Sequence, residues 1–365
     1  MVNLFSWFFR CQSSDYNLLQ MKQGLKRIIN PWKTRFFKLL TSTFKNSDNL
    51  IELSKKGQHE VKRILVTRPN HRLGNQLLIT PLIQFLEDEY PQAKIDLVIN
   101  GHLAEILFAH YSNINQFYHL PKKPFKNLIE YIKVSLSIIS NKYDLGIAGL
   151  DDSNSSKIFI KLSRAKHKIF NSGVQNSATI HVAKEPIFNY CSALNKNIDD
   201  INYPKLKLKL TSEEIKIGHT ILSSFFSTNL NTIAVFTNAT RNKKISKEWW
   251  AELTTKLEEK FTNYNILEIL PKENCSQLDF KYTHYLSSDL REIASVIENC
   301  FVFIGADSGV THLATATNTP TFGLFNGATN PKLYGPYGKH KFVVDVRTFS
   351  LDDMIKQIEK LQEKT

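Results

Sequence analysis

The chain has 365 residues, 42% hydrophobic and 22% charged, a length that suggests two domains and a composition that excludes both disorder and a collagen-like repeat. Its four cysteines, Cys11, Cys191, Cys275 and Cys300, form no C-x-x-C pair, so neither a zinc site nor a disulfide framework is expected and a reducing cytosol fits. The formal net charge of +13 favours an anionic partner: nucleic acid, acidic lipid or a phosphorylated small molecule.

Residues 1–60 read as an extension. No acidic residue occurs between Asp15 and Asp48, whereas Lys22, Lys26, Arg27, Lys33, Arg35, Lys38 and Lys45 all do. Leu25, Ile28, Ile29, Trp32, Phe36, Leu39 and Leu40 interleave with them at near-helical spacing. A basic amphipathic segment of this kind, broken at Pro31, can lie on an anionic membrane surface or pack on the protein's own body. No stretch approaches the ~20 apolar residues of a membrane span, and the opening apolar run has no basic residue before it to make a secretory signal. The expected location is cytoplasmic, peripheral on the inner face of the cytoplasmic membrane.

Val61 to Thr67 reads as a buried strand, followed by a polar loop, a helix from about Gln76 to Tyr90 that Pro91 stops, and a strand from Lys94 to Ile99. Strand, helix, strand at this spacing is a βαβ unit and implies a parallel sheet. The rhythm continues with a helix near 102–110, a strand at 116–119, a helix near 124–140, a strand at 144–148 and a helix to about Leu162. Residues 171–210 are loop-like, and the domain boundary falls near 205–212. The second half supplies strands at 232–236, 265–270, 301–304 and 321–325 and helices at 247–261, 289–299, 310–316 and 350–363. The fold class is α/β: two Rossmann-like doubly wound domains, 61–208 and 209–349, facing a cleft, with a C-terminal helix at 350–365. Ligands of such sheets bind beyond the carboxyl ends of the strands.

The segment Gly305-Ala306-Asp307-Ser308-Gly309-Val310-Thr311-His312-Leu313-Ala314 joins a buried strand to a helix. Gly309 permits close backbone approach, and the free N–H groups of the first turn suit a diphosphate. Ser308 and Thr311 can add hydroxyl donors, His312 lies on the ligand side, and Asp307 caps the helix or orients a sugar hydroxyl. By spacing alone the same residues also fit an ordinary capped helix with a core histidine.

That segment resembles the D-[ST]-G-x-x-H-L-A signature of glycosyltransferase family 9, the ADP-heptose:lipopolysaccharide heptosyltransferases. Leu324 to Pro331 and Gly335-Pro336-Tyr337-Gly338 are similar to the family's L-F-G-x-T-D-P and G-P-Y-G, with Asn330 in place of Asp. Arg68 to Leu82 resembles its first strand–turn–helix, R-x-x-x-x-x-G-D-x-L-x-T-P-L, and Tyr143 to Asp151 resembles Y-D-x-x-I-D-x-x-G less closely. The resemblance spans about residues 61–345. It implies the GT-B fold, a nucleotide-sugar donor (ADP-heptose) on the C-terminal half, and a glycolipid or lipopolysaccharide-core acceptor on the N-terminal half. It also implies inversion at the anomeric carbon with neither metal nor cofactor, the nucleotide-sugar being a substrate.

Arg72 and Gly74 belong to the acceptor-side loop, where Gly74 fits a tight turn near a ligand. The family carries Asp, the catalytic base, where this chain has Asn75, and an amide takes no proton at neutral pH. His71 in the same loop and Asp151 beyond another strand end, with Asp152 beside it, are the replacements at hand. Thr237 to Lys244 is similar to the family's loop before K-x-W-P, though Ile245 and Ser246 stand for Trp and Pro. By that match Thr240 and Lys243 contact the donor phosphate, and Arg241 adds a second charge. A nucleic-acid partner is not expected, because the basic excess lies outside the folded halves and no recognition motif occurs. The Asn75 departure also permits a silent member that only binds sugar-nucleotide or glycolipid.

Overall fold

The computed structural model describes residues 43–55, 60–121, 127–150, 153–171, 179–226 and 230–362. The basic stretch at 22–40 and the acidic pair Asp151 and Asp152 lie outside them. From Asn46 onward the chain forms one compact unit.

Its first part opens with helix α1 (Leu50–Lys55) and strand β1 (Arg63–Thr67), then helices α2 (Leu73–Leu77) and α3 (Thr80–Glu89). The sequence reading of one helix over 76–90 is corrected here to two. Pro81 lacks an N–H and so sits in the first turn of α3, where none is needed, instead of continuing a helix. Strand β2 (Lys94–Asn100), helix α4 (Leu103–Leu107), strand β3 (Ile114–Leu120), helix α5 (Leu128–Ser140), strand β4 (Lys142–Ala148), helix α6 (Asn154–Leu162) and strand β5 (Arg164–Ile169) follow. The five strands make one parallel sheet in the order β3-β2-β1-β4-β5.

Packing reaches further toward the N-terminus than position 61. Leu50 and Leu53 are buried in the core, and Ser47 exchanges backbone and side-chain hydrogen bonds with Lys168 along β5. That contact covers an otherwise open sheet edge.

Residues 171–210, expected to be loop, contain helix α7 (Glu185–Ala193). Helix α8 (Ser212–Phe225) begins at a capping box in which Thr211 and Glu214 satisfy each other's backbone N–H. Then come strand β6 (Asn231–Phe236), helix α9 (Lys247–Lys260), strands β7 (Tyr264–Ile269) and β8 (Thr283–Tyr285), and helix α10 (Leu290–Glu298). Strand β9 (Val302–Ala306), helix α11 (Gly309–Thr315), strand β10 (Thr321–Phe325), the short helix α12 (Pro331–Tyr334), strand β11 (Lys341–Asp345) and helix α13 (Leu351–Gln362) complete the chain. This sheet is also parallel, in the order β11-β10-β9-β6-β7-β8.

Both strand orders reverse direction once, between β1 and β4 in the first sheet and between β9 and β6 in the second. Crevices at the carboxyl ends of strands form at such reversals. The loops that leave β1, β4, β6 and β9 each carry a sequence motif, and the Leu324–Pro331 motif follows β10.

The two sheets are tied together by side chains from both halves that donate to backbone carbonyls of the connecting segment. Tyr111 donates to the Lys207 carbonyl at 2.7 Å and Gln84 to that of Lys205 at 2.9 Å. Arg291 of α10 donates to the carbonyls of Ile106, Leu208 and Lys209 and pairs with Glu214.

Candidate functional site

Helix α11 starts where Ser308 accepts a hydrogen bond from Thr311 N at 3.3 Å. Ser308, and not Asp307, is therefore the cap. The Thr311 hydroxyl is buried and donates to the Ala306 carbonyl, which removes it from the set of ligand donors. Lys341 holds the other end of the helix region, donating to the carbonyls of Ala314, Thr317 and Thr319 at 3.2, 3.0 and 2.6 Å. A cation at a helix C-terminus also complements the dipole.

Asp307 is left free of capping and is only 6% exposed. The Lys243 ammonium lies 2.8 Å from its Oδ2, an ion pair across the two loops. Two loops distant in sequence thus place one cation and one carboxylate at the mouth of the β6/β9 reversal.

The Lys243 loop is shaped from several directions. Arg241 adopts φ +59, a left-handed conformation uncommon outside glycine, and opens a single 3-10 turn, Arg241–Lys243. Asn326 Nδ2 donates to the carbonyls of Asn242 and Lys244 at 2.8 and 3.0 Å, clasping that turn. Thr237 donates to Glu268 at 2.7 Å at the loop's root. Thr240 and Arg241 are exposed, with Lys243 half-buried between them and Asp307.

His312 is buried and faces the other half. A Cβ built on Gly74 of α2 would lie 2.5 Å from its Cδ2, and one built on Gly309 would lie 3.0 Å from Leu73 Cβ. The approach those two glycines permit is thus helix α2 to helix α11. Burial pushes the His312 pKa down to about 4, partly opposed by the carboxylate of Asp307, while His181 and Lys243 lower it further. His181 is also held neutral, its pKa lowered to about 4 by burial. Its Nε2–H donates to the Gly335 carbonyl at 2.9 Å, and its Nδ1 accepts from Ala183 N at 3.2 Å.

On the N-terminal side the loop after β1 is braced by Gln76, which donates to the Asn70 carbonyl at 2.8 Å and the Asn100 carbonyl at 3.2 Å. His71 and Arg72 are exposed on this loop, and Asn75 is half-buried on α2. Arg68 is buried beneath it and donates to the Gly149 and Asn75 carbonyls. Its pKa is pulled down to about 10 by burial, against the nearby carboxylate of Glu185. Arg68, Glu185, His181 and Asn326 are residues near the cleft that the sequence reading gave no role. Arg68 and Asn326 carried a signal, since both lie inside quoted motifs.

Two loops with exposed cations, a buried carboxylate and a buried histidine thus meet at the strand-order reversals of two parallel sheets, where such folds bind ligands. The family model for glycosyltransferase family 9 (heptosyltransferase) matches residues 137–360. The chain belongs to glycosyltransferase family 9. It is 26% identical over 302 residues to lipopolysaccharide heptosyltransferase 3 of Escherichia coli, an alignment covering 73% of this chain and 84% of that protein. Among solved structures it is similar to the family 9 glycosyl transferase of Veillonella parvula DSM 2008, at 20% identity and a TM-score of 0.68, covering 83% of this chain and 98% of that one. The Escherichia coli heptosyltransferase WaaC solved with ADP gives 17% identity and a TM-score of 0.58, covering 82% and 99%. These likenesses establish the GT-B fold of this glycosyltransferase.

Proposed function

We propose that this enzyme moves a heptose from ADP-heptose to a lipopolysaccharide-core or related glycolipid hydroxyl, with inversion and without a metal in the transfer step. The observation that carries the reading is the Lys243–Asp307 pair at the family's signature loops. Lys243, with Arg241 and Thr240, would meet the donor diphosphate, and the Oδ2 of Asp307 would accept from a sugar hydroxyl. Ser308 and Gly309 shape the loop, and His312 backs it. The adenine nucleotide is suggested by the ADP-bound relative, and the acceptor class by the curated lipopolysaccharide heptosyltransferase.

In the proposed reaction the acceptor oxygen attacks the anomeric carbon as the bond to the diphosphate breaks. Charge appearing on the leaving oxygen is met by Lys243 and Arg241. The acceptor proton must go to a base, and Asn75 has no lone pair suited to it. His71, exposed on the loop beside Arg72 and Gly74, is assigned that task, with Asp151 the next group to test.

A second part of the reading concerns the membrane. Among the described residues no helix is long and apolar enough to cross one. Helix α5, however, leaves Leu128, Ile129, Ile132 and Leu136 54%, 74%, 47% and 61% exposed along one face. Lys133 and Lys142 are exposed on and just after this helix, and Arg164 reaches the carbonyl of Ser140 at its end. An apolar stripe rimmed by cations suits an anionic bilayer, where the acceptor would lie.

The test is a thermal-shift series with ADP-, GDP- and UDP-sugars followed by transfer assays. The expected result is stabilisation by the adenine nucleotides, about 2.7 kcal/mol at 100 times the dissociation constant. Lys243→Met should weaken that binding by about 10- to 100-fold, the loss of one or two charged hydrogen bonds. His71→Gln should lower kcat with donor binding intact. Equal donor affinity in Lys243→Met would sink the site assignment, and unchanged kcat in His71→Gln would sink the base.

A further inference from the structure

Strands β2 and β3 end side by side in the first sheet, with Ile99 paired to His119. Just past β2, Gly101 adopts φ +77, a turn that aims its carbonyl back at the His119 ring. His119 Nδ1 lies 2.8 Å from that oxygen. A carbonyl only accepts, so Nδ1 carries the proton and Nε2 of the neutral ring presents its lone pair. That lone pair points at Glu105 Oε1 of α4, 2.9 Å away. Glu105 Oε2 in turn lies 3.7 Å from Nδ1 of His102, the residue preceding α4. The two imidazoles have ring centroids 4.4 Å apart and planes tilted by 32°. All three ligand atoms fall within 4.8 Å of one another.

A ring nitrogen and a carboxylate oxygen at this distance are joined by a cation, either a proton or a metal ion. Ligands bound at about 2.0–2.1 Å in a tetrahedron sit about 3.3 Å apart. The 2.9 and 3.7 Å edges bracket that spacing, so modest side-chain rotation satisfies it. The Gly101 carbonyl already supplies the outer hydrogen bond that fixes the tautomer of a metal-bound histidine. Two imidazoles with one carboxylate match zinc in donor type and number and leave a fourth position open to an oxygen ligand.

We propose that His102, Glu105 and His119 form a zinc site on the carboxyl edge of the first sheet, apart from the donor loops. The site stands independently of which sugar is transferred, and no step of the transfer runs through it. Sequence reading missed it because the ligands come from the start and first turn of α4 and from the end of β3, and follow no zinc-finger spacing.

The experiment is isothermal titration of zinc chloride into the full chain after treatment with a chelator and its removal. The expected result is one equivalent bound, retained in His219→Ala and Cys275→Ser, which remove an exposed imidazole and the exposed thiol elsewhere. His119→Ala and Glu105→Ala should each weaken binding at least about tenfold, and Glu105→Ala, whose side chain is exposed, should leave thermal unfolding in chelator unchanged. No bound zinc in the parent chain overturns the proposal, as does zinc binding that persists unweakened in both ligand variants.

Discussion

Replacing His312 by glutamine is expected to flatten the pH dependence of stability on the acid side. The imidazole is 9% exposed and packs against Gly74, with no room for a hydration shell. Burial lowers its folded-state pKa to about 4 from an ordinary 6.5. Between those values the unfolded chain binds a proton that the folded chain refuses, so stability rises with pH across the window. The neutral form's contribution is complete above the unfolded value and is lost as pH falls toward the folded one. Integrating the linkage relation from pH 7 to pH 5, this single group removes about 2 kcal/mol. His181, similarly shifted and close enough to influence His312, adds a loss in the same direction. Urea unfolding at pH 7 and pH 5 measures the difference, with each variant referred to its own value at pH 7. The parent should lose more than His312→Gln by about 2 kcal/mol. An identical loss in the two proteins would refute the claim that His312 is held neutral inside the contact between α2 and α11.

Three further outcomes follow from the packing. Gly74→Ala drives a methyl to 2.5 Å from the His312 ring and should cost about 1–3 kcal/mol by overpacking, read by chemical unfolding. Arg291→Ala strips partners from the carbonyls of Ile106, Leu208 and Lys209 and from Glu214, whose pKa Arg291 holds down at about 2. Breaking so enclosed a pair should cost about 3–5 kcal/mol, and a loss near zero would show that the connecting segment is not held by it. The double change Ile129→Glu and Leu136→Glu should cut sedimentation with phosphatidylglycerol vesicles several-fold and leave ADP-sugar binding intact. Unchanged sedimentation would remove α5 from the membrane reading.

The sequence made the second half more legible than the first. Buried strands such as Val302–Ala306 are continuous apolar runs, and a parallel sheet covered on both faces produces just that pattern. Strand β5 broke the rule: Arg164, Lys166 and Lys168 alternate with buried Ala165, His167 and Ile169, the signature of an edge strand half exposed to water. Helix α8 was readable after all, since Thr211 and Glu214 spell a capping box, yet the sequence reading assigned no element between the boundary near 205–212 and the strand at 232–236. At the site, the motif letters located the loops while their partners stayed hidden. Nothing in the chain order announces that Lys243 reaches Asp307, or that Asn326 clasps the Lys243 turn, because both contacts are made by the return of β9 beside β6 and of β10 beside β9.

Gly74 and Gly309 illustrate what a motif glycine does and does not say. Each was read as a place where backbone approaches a ligand, and the physical requirement, no Cβ, is the one the structure imposes. The neighbour is different: the His312 ring fills the space beside Gly74, and Leu73 fills the space beside Gly309. The acceptor-side helix and the donor-side helix are therefore in direct contact, each through the other's glycine. A ligand group inserted between α2 and α11 has to displace Leu73 or His312, and both belong to that same contact. On the proposed reading, a donor at the Lys243–Asp307 mouth and an acceptor beside α2 would meet across this one contact, with His312 common to both sides.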